Sequence, residues 1–266
     1  MSALLTASDH TYVVCAYKDS RYLAACLASL KNQTIESNVI VATSTPNELI
    51  KDTCSCFDVP LYVGKHKSGI ARDWNFALNC AKTPLVTIAH QDDVYKPMYT
   101  ERMLEYINAA DNPLVFFSSY TELRNNEEVT NNRLLKIKKL MLSLIQDGKN
   151  SSSVRTRRAI LSIGDPIACP AITYVTPNLP TPLFKEDYKG SLDWQMLEEI
   201  SKIPGDFMYC STPLMSHRIH RGSETSALIK DNTRTQEDYD MFCKFWPKPF
   251  ARILSRLYSK SEDSNA

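Results

Sequence analysis

The stretch VTIAHQDDVYKP, Val86 to Pro97, ends an apolar run on two adjacent carboxylates, Asp92 and Asp93, with His90 and Gln91 just before them. An acidic pair at the end of a buried strand can hold a divalent cation of the Mg2+ or Mn2+ kind. Such ions prefer oxygen ligands and keep positions open for phosphate oxygens. An ion held there neutralises a diphosphate and helps it leave. The plain alternative is that the pair caps the helix that follows. The surroundings of the pair decide between the two.

Upstream, short β-rich apolar runs alternate with helical patterns. YVVCA (Tyr12 to Ala16) predicts a buried strand, and SRYLAACLASLKNQ a helix with Leu23, Cys26, Leu27 and Leu30 on one face, opened by Asp19 or Ser20. NVIVA is the second strand. TPNELIKD follows as a helix, with Thr45 as cap and Pro46 at its first position. VPLYVG is a third strand, GIARDWNFALNCAK a helix and PLVTIA the fourth strand, running into the acidic pair. This alternation means a parallel sheet covered on both faces, and ligands of such sheets sit beyond the carboxyl ends of the strands. Asp92, Asp93 and the loops after Ala16, Ala42 and Gly64 all fall there.

The second half predicts a helix through Ala109, a strand LVFFSSY, a loop or hairpin at ELRNNEEVTNN and an amphipathic helix RLLKIKKLMLSLI. A strand CPAITYV, a helix SLDWQMLEEISKI, two strands DFMYCS and PLMSHRIH and a helical tail broken at Trp246 to Pro249 complete it. There is no repeat and no low-complexity linker. The expected organisation is a single catalytic domain over residues 1–228, its donor half 1–120 and acceptor half 121–228, with a helical tail over 229–266.

At 266 residues and 43% hydrophobic the chain can bury a full core, and its net charge of +1 gives no footprint for nucleic acid. MSALLTASDH lacks a basic segment followed by an apolar one and reads as neither signal peptide nor anchor. Eight cysteines without such a signal read as reduced thiols of a cytoplasmic protein. Cys54 and Cys56 look like half a metal site, but His66 alone does not complete four ligands, so all eight read as small buried hydrophobes.

Order and spacing of these blocks carry a resemblance. VVCAYKDSRYLAACLASLKNQT resembles the opening of the family-2 glycosyltransferases, and GIARDWNFALNCAKTPLVTIAHQDDVYKP their next block, an Asn-bearing helix, a strand and the acidic signature. The resemblance extends over most of residues 11–225. It implies the GT-A fold: a three-layer α/β/α arrangement with a mostly parallel central sheet, a small antiparallel extension and, here, the helical tail. It also implies inverting, metal-dependent sugar transfer from a nucleotide-diphosphate sugar to a glycan or lipid-linked acceptor. Glycan assembly at the cytoplasmic membrane face fits, as does a homodimer.

Matched position by position, Asp92 is the last carboxylate of the family's Asp-x-Asp signature and so the implied ligand for Mn2+ or Mg2+. His90 stands where the first Asp usually is and is expected to hydrogen-bond the ribose or bind the metal. Gln91 is the variable middle residue, and Asp93 follows the signature, orienting the ligand or binding sugar hydroxyls; all three join the implied donor contacts. After the second strand the family usually has a doubled Asp and Gly-Ser; here ATSTPN leaves the base to backbone groups around Ala16, Tyr17 and Thr43. Trp74 replaces an Arg that frequently precedes Asn75. Gly69, Arg72 and Asn75 join the implied donor contacts, Arg72 being either a phosphate ligand or a solvated surface residue.

SLDWQMLEEI resembles the family's Glu-Asp-Trp block, which makes Asp193 the implied general base, while Leu192 leaves its partner carboxylate missing. At a helix start the dipole favours an ionised Asp193; the alternative is a plain N-cap. SHRIHRGSETS resembles the later Arg-x-His-x-Gly-Ser segment, which implies His220 at the diphosphate or metal, a satisfied structural histidine being the alternative; Arg218 and Arg221 either pair with the diphosphate or are solvated. On an extended strand His217 and His220 point to opposite faces and are not expected to share a job. KFWPKPFARILSRLYSK interleaves aromatics with Lys and Arg, which fits either peripheral membrane contact or docking on the core or a second subunit. A non-catalytic relative that binds a glycan or partner is the second class. A nucleotidyltransferase is disfavoured because CAYKDS has no glycine.

Overall fold

The structure, a computed structural model, describes residues 3–220 and 233–263, with side chains given through residue 259. The expected domain boundary at residue 228 and Arg221 lie outside the described residues.

The amino-terminal half follows the alternation. Strands β1 (His10–Ala16), β2 (Asn38–Thr43), β3 (Leu61–Val63) and β4 (Leu85–His90) are separated by helices α1 (Leu23–Lys31), α2 (Glu48–Cys56) and α3 (Ile70–Cys80). Helix α1 buries Leu23, Cys26, Leu27 and Leu30, the four residues its spacing predicts. Each full burial of this kind contributes roughly 1.5–3 kcal/mol. Helix α2 starts later than Thr45 and Pro46: the cap is Asn47, whose side chain accepts from the Ile50 N–H at 2.8 Å. Thr45 instead accepts from the Lys18 N–H at 2.7 Å, tying the loop after β1 to the loop after β2.

Beyond the acidic pair come β5 (Val94–Tyr95), α4 (Tyr99–Ala109), β6 (Pro113–Arg124), β7 (Glu127–Val129), α5 (Arg133–Leu142), α6 (Val154–Leu161), β8 (Ile172–Val175), α7 (Leu192–Ile200) and β9 (Asp206–Ile219). Helices α8 (Thr233–Cys243) and α9 (Lys248–Asp263) form the tail. The polar stretch after β6 is a hairpin, because Asn125 and Asn126 take the positive φ values, 50° and 64°, of a two-residue turn. Two short elements were not legible: β5, only two residues long, and α6, whose Ser153 cap accepts from the Thr156 N–H at 3.2 Å.

The sheet runs β3-β2-β1-β4-β8-β6-β9-β5, with β7 paired to β6. Strands β3, β2, β1 and β4 are mutually parallel. Strand β8 enters antiparallel to both β4 and β6, and β6 and β9 are again parallel. DFMYCS and PLMSHRIH are one strand rather than two: Pro213 faces Ser119 across a register shift, and this irregularity absorbs the missing N–H without ending the strand. Its far end therefore travels to the acidic turn, where β5 pairs with it through Tyr95 and Met215.

Alternate residues of β1 feed two cores. Tyr12, Val14 and Ala16 pack with α1, α2 and α4, while Val13 packs with Ala77 and Cys80 of α3. On that second face lie also residues of α6, α7 and the tail, including Ile160, Trp194, Met241, Phe242 and Ala251. This is the three-layer α/β/α GT-A architecture. The tail belongs to it: the Trp194 ring meets Phe242 edge-on at 5.0 Å and Tyr258 at 5.7 Å. Cysteines contribute to these cores at Cys26, Cys54, Cys80, Cys169 and Cys210, whereas Cys56 is exposed, against the expectation that all eight are buried.

Candidate active site

A cavity of about 940 Å³ opens at the carboxyl ends of β1, β2 and β4. Ala16, Tyr17, Gly69, His90, Gln91 and Asp92 line one part of it, and Asp193 and His220 line it too. The fold thus brings together, from far apart in the chain, the acidic turn and the carboxylate at the start of α7.

The turn is built from within. The Asp93 N–H closes on the His90 carbonyl at 3.1 Å. Asp93 itself has no exposed surface. Its Oδ1 accepts from the Arg218 N–H at 2.8 Å and faces His217 Nδ1 at 3.0 Å, with His90 Nδ1 4.0 Å from Oδ2. Burial alone would raise the Asp93 pKa, but the charge and hydrogen bond of His217, then His90 and the Arg218 amide, hold it below the usual carboxylate value. Burial would equally lower the His217 pKa, and the Asp93 charge and hydrogen bond, with Asp92 behind, keep it raised.

Asp92 is left facing the cavity. One carboxylate oxygen lies 2.9 Å from His220 Nε2, and its backbone carbonyl accepts from Arg218 Nε at 2.8 Å. His217 and His220 therefore do converge: successive aspartates of one turn each take one of them, because β9 ends at Ile219 and His220 leaves the strand's alternation. Gln91 clamps the end of β1, its amide donating to the Tyr17 carbonyl and accepting from the Tyr17 N–H, both at 3.0 Å.

His90, Asp92 and Asp93 offer ligand atoms within 4.8 Å of one another. His90 Nε2 is buried without a hydrogen-bond partner among the described residues, and its ring stacks on Trp74 with centroids 5.3 Å apart. An imidazole nitrogen left without a partner, in a turn that also carries two carboxylates, fits a divalent cation. Trp74, a departure in the sequence pattern, is the surface that orients His90. Burial lowers the His90 pKa, which favours the neutral, ligating form.

Several expected donor contacts are placed elsewhere. Asn75 spends its amide on a loop, donating to the Phe184 carbonyl at 2.7 Å and accepting from the Leu183 and Phe184 N–H groups. Arg72 pairs with Glu186 at 2.7 Å on the surface. Thr43 is buried, and its hydroxyl accepts from the Thr45 N–H; Ala42 lines the cavity instead. Arg218 lies behind the wall, its guanidinium over the Tyr22 ring at 4.3 Å and bonded to Asn126 Oδ1 at 3.0 Å. Asp93 also sits behind the wall. None of these expected contacts lines the cavity.

Asp193 is the second residue of α7, not its cap; the cap is Ser191. Its Oδ1 accepts from the next N–H, Trp194, at 2.9 Å, within the positive end of the helix. The loop before it is gripped by the tail. The Glu237 carboxylate of α8 accepts from the N–H groups of Lys189, Gly190 and Ser191 at 2.8, 2.8 and 3.0 Å, and Asp238 accepts from Ser191 Oγ at 2.9 Å. No sequence signal marks Glu237 beyond its place in an acidic tail segment.

A second carboxylate, from another element, lines the same cavity as Asp193. Asp165, in the cavity wall, is pushed up to about 8 by burial and by the Asp193 charge, with Lys138 and Arg234 opposing. Lys138 donates to the Tyr120 hydroxyl at 3.1 Å, and Tyr120 and Asp165 outweigh burial to keep it above the ordinary ammonium value. At the β2 end, Asp73 lines the cavity with its carboxylate held by His66 Nε2 at 2.7 Å and the Gly69 N–H at 3.2 Å.

A parallel strand set with an acidic turn at its carboxyl end, and Asp193 in the same cavity, define a sheet-end ligand site. Residues 11–162 match the family described as glycosyl transferase family 2, and the chain belongs to it, a family of sugar-transferring enzymes. No curated protein matches the chain. Among solved structures, S. aureus TarS 1-349 in complex with UDP-GlcNAc is similar at a TM-score of 0.63 and 14% identity, covering 92% of this chain and 70% of that one. The mannosyltransferase PcManGT from Pyrobaculum calidifontis, in complex with GDP-Man and Mn2+, gives 0.61 and 15%, covering 94% and 69%. Glucosyl-3-phosphoglycerate synthase from Mycobacterium tuberculosis, with Mn2+, UDP and glucosyl-3-phosphoglycerate, gives 0.59 and 11%, covering 86% and 78%.

Two outcomes follow from this geometry. The raised His217 pKa contributes stability that is complete below its ordinary value and lost as pH rises through the folded value. In EDTA, the thermal midpoint of the wild type should therefore fall between mildly acidic and mildly alkaline pH more than that of His217→Asn; parallel pH profiles contradict the pairing. Glu237→Ala strips three N–H groups of their acceptor, costing about 2 kcal/mol, and displaces Asp193. Turnover should fall on the order of 10–100-fold with donor KM nearly unchanged, and Glu237→Gln should restore part of it. A folded Glu237→Ala enzyme with normal turnover removes Glu237 from this role.

Proposed function

We propose that the chain moves a sugar, with inversion at the anomeric carbon, from a nucleotide-diphosphate sugar to a hydroxyl of a glycan or lipid-linked acceptor, in glycan assembly. The observation that carries this is that Asp92 and Asp193 line one cavity at the carboxyl ends of the parallel strands. That TarS and PcManGT were solved with UDP-GlcNAc and GDP-Man supports the donor class.

In this reading Asp193 takes the proton of the acceptor hydroxyl as its oxygen attacks the anomeric carbon, and the diphosphate leaves with the electron pair of the broken bond. Asp193 lies in the first turn of α7, with its carboxylate in the shared cavity. Asp165, with its pKa near 8, is protonated around neutrality and is suited to donate to a sugar hydroxyl. Asp92 and His90, with His220 at hand, would hold a divalent cation, Mn2+ or Mg2+, which when bound supplies positive charge against the diphosphate. Asp93 and His217 keep Asp92 oriented. Asp73, whose charge is felt at Cys15, offers beside the β1 and β2 ends a carboxylate that ATSTPN lacks, and it suits the nucleoside.

Asp193→Asn should abolish transfer while leaving nucleotide binding and thermal midpoint nearly unchanged; near-normal turnover in this variant takes the base role away from it. Asp92→Asn should weaken nucleoside diphosphate affinity measured by titration calorimetry in Mn2+ and erase the difference between Mn2+ and EDTA. Equal affinity in wild type and variant would make the pair a turn and no more. The retained carboxylates favour the enzyme over a binding module that only keeps the fold.

A further inference from the structure

The tail buries one side of α9 through Ala251, Ser255 and Tyr258, yet its other side leaves Phe250, Ile253 and Leu257 exposed at 61%, 58% and 60%. That is a three- and four-residue spacing, one stripe of a helix. Helix α5 and the turn after it do the same: Ile137, Leu140 and Leu144 are 45%, 73% and 52% exposed. The two stripes are neighbours. Ile137 and Met141 of α5 line the same cavity as Leu254 and Leu257 of α9, with Ile163 between the elements. The active-site cavity therefore has an apolar rim.

Charge on α5 and on the first three turns of α9 is one-sided, while Lys260, Glu262 and Asp263 end the second helix. The chain as a whole balances 31 basic against 30 acidic residues. Arg133–Leu142 nevertheless carries Arg133, Lys136, Lys138 and Lys139, and residues 248–259 carry Lys248, Arg252 and Arg256, with no carboxylate in either stretch. Lys138 turns inward to Tyr120, while Arg133, Lys136, Lys248, Arg252 and Arg256 are exposed beside the apolar stripes. Among the described residues no helix is long and apolar enough to cross a membrane.

We infer that the face formed by α5 and α9 docks on an anionic membrane surface and presents the cavity mouth to the lipid. Apolar side chains ringed by Lys and Arg partition into the headgroup boundary and are drawn by negative lipids. A second copy of this chain fits less well, because a two-fold contact sets the same patch against itself and brings Arg252, Arg256 and Lys136 towards their own copies. Resting on the transferase reading, the inference narrows the acceptor to a lipid-linked hydroxyl. Such an acceptor reaches Asp193 along the apolar rim, its lipid remaining in the bilayer.

The full chain is mixed with phosphatidylcholine vesicles and with vesicles containing about a third phosphatidylglycerol, and its partition is read by sedimentation. It should bind the anionic vesicles at least about tenfold more tightly than the neutral ones, and raised salt should weaken the binding. The double variant Ile253→Glu/Leu257→Glu, and Leu140→Glu on the other helix, should each lose about tenfold or more while keeping the wild-type thermal midpoint. The inference is overturned if the wild type stays in solution with both vesicles, if the variants partition as it does, or if it forms a dimer that Leu140→Glu dissociates without partitioning. Nucleoside diphosphate titration of the same preparation separates the two readings. Nucleotide binding without vesicle binding sinks the docking alone, and vesicle binding without nucleotide binding sinks the transferase reading alone.

Discussion

A carboxylate with no solvent around it has to be matched by donors, and Asp93 makes that demand at the centre of this molecule. Its matches, the Arg218 N–H and His217, lie at the end of a strand that begins on the far side of the sheet. Satisfying Asp93 therefore requires β9 to run its full 14 residues past Pro213 and meet β5. Once it does, Asp92 is turned towards the cavity and its backbone carbonyl is fixed by the Arg218 side chain. A buried charge thus positions one that faces the cleft: one residue of the turn meets protein and its neighbour meets the cavity.

The opposite part of the cavity depends on a second such match. Glu237 reaches from the tail to three successive amides before α7, so the residues that hold Asp193 in place come after it in the chain by more than forty positions. The tail lines the cavity as well as the core: α8 braces the loop before α7, while α9 closes the cavity with Leu254, Leu257 and Tyr258. Removing the tail would leave Met241, Phe242 and Ala251 out of a core shared with Trp194.

The strand-helix alternation was readable because each element of the first half is local: burial on α1 follows from Leu23, Cys26, Leu27 and Leu30 alone. The position of Asp92 followed for the same reason, since a strand's carboxyl end is a property of its own sequence. What resisted reading was non-local. Asn75 looks like a ligand in a helix, yet residues 183 and 184 claim its amide from over a hundred positions away. Asp165 carries no motif, and burial together with the charge of Asp193, both products of the fold, make it unusual. The single long β9 was hidden by Pro213, whose usual meaning is the end of a strand. Thr45 and Pro46 have the statistics of a helix start, but Asn47, just beyond them, is the residue that caps α2.

The central claim is that one cavity holds a nucleoside diphosphate between the acidic turn and the start of α7. A crystal structure with a nucleoside diphosphate and Mn2+ tests it most directly. The account predicts ion density about 2.1 Å from an Asp92 oxygen, the diphosphate in contact with that ion, and the Asp193 carboxylate facing the sugar end of the same cavity. A nucleotide bound outside the cavity, or one bound within it while Asp92 stays on His220 and no ion is present, would contradict it.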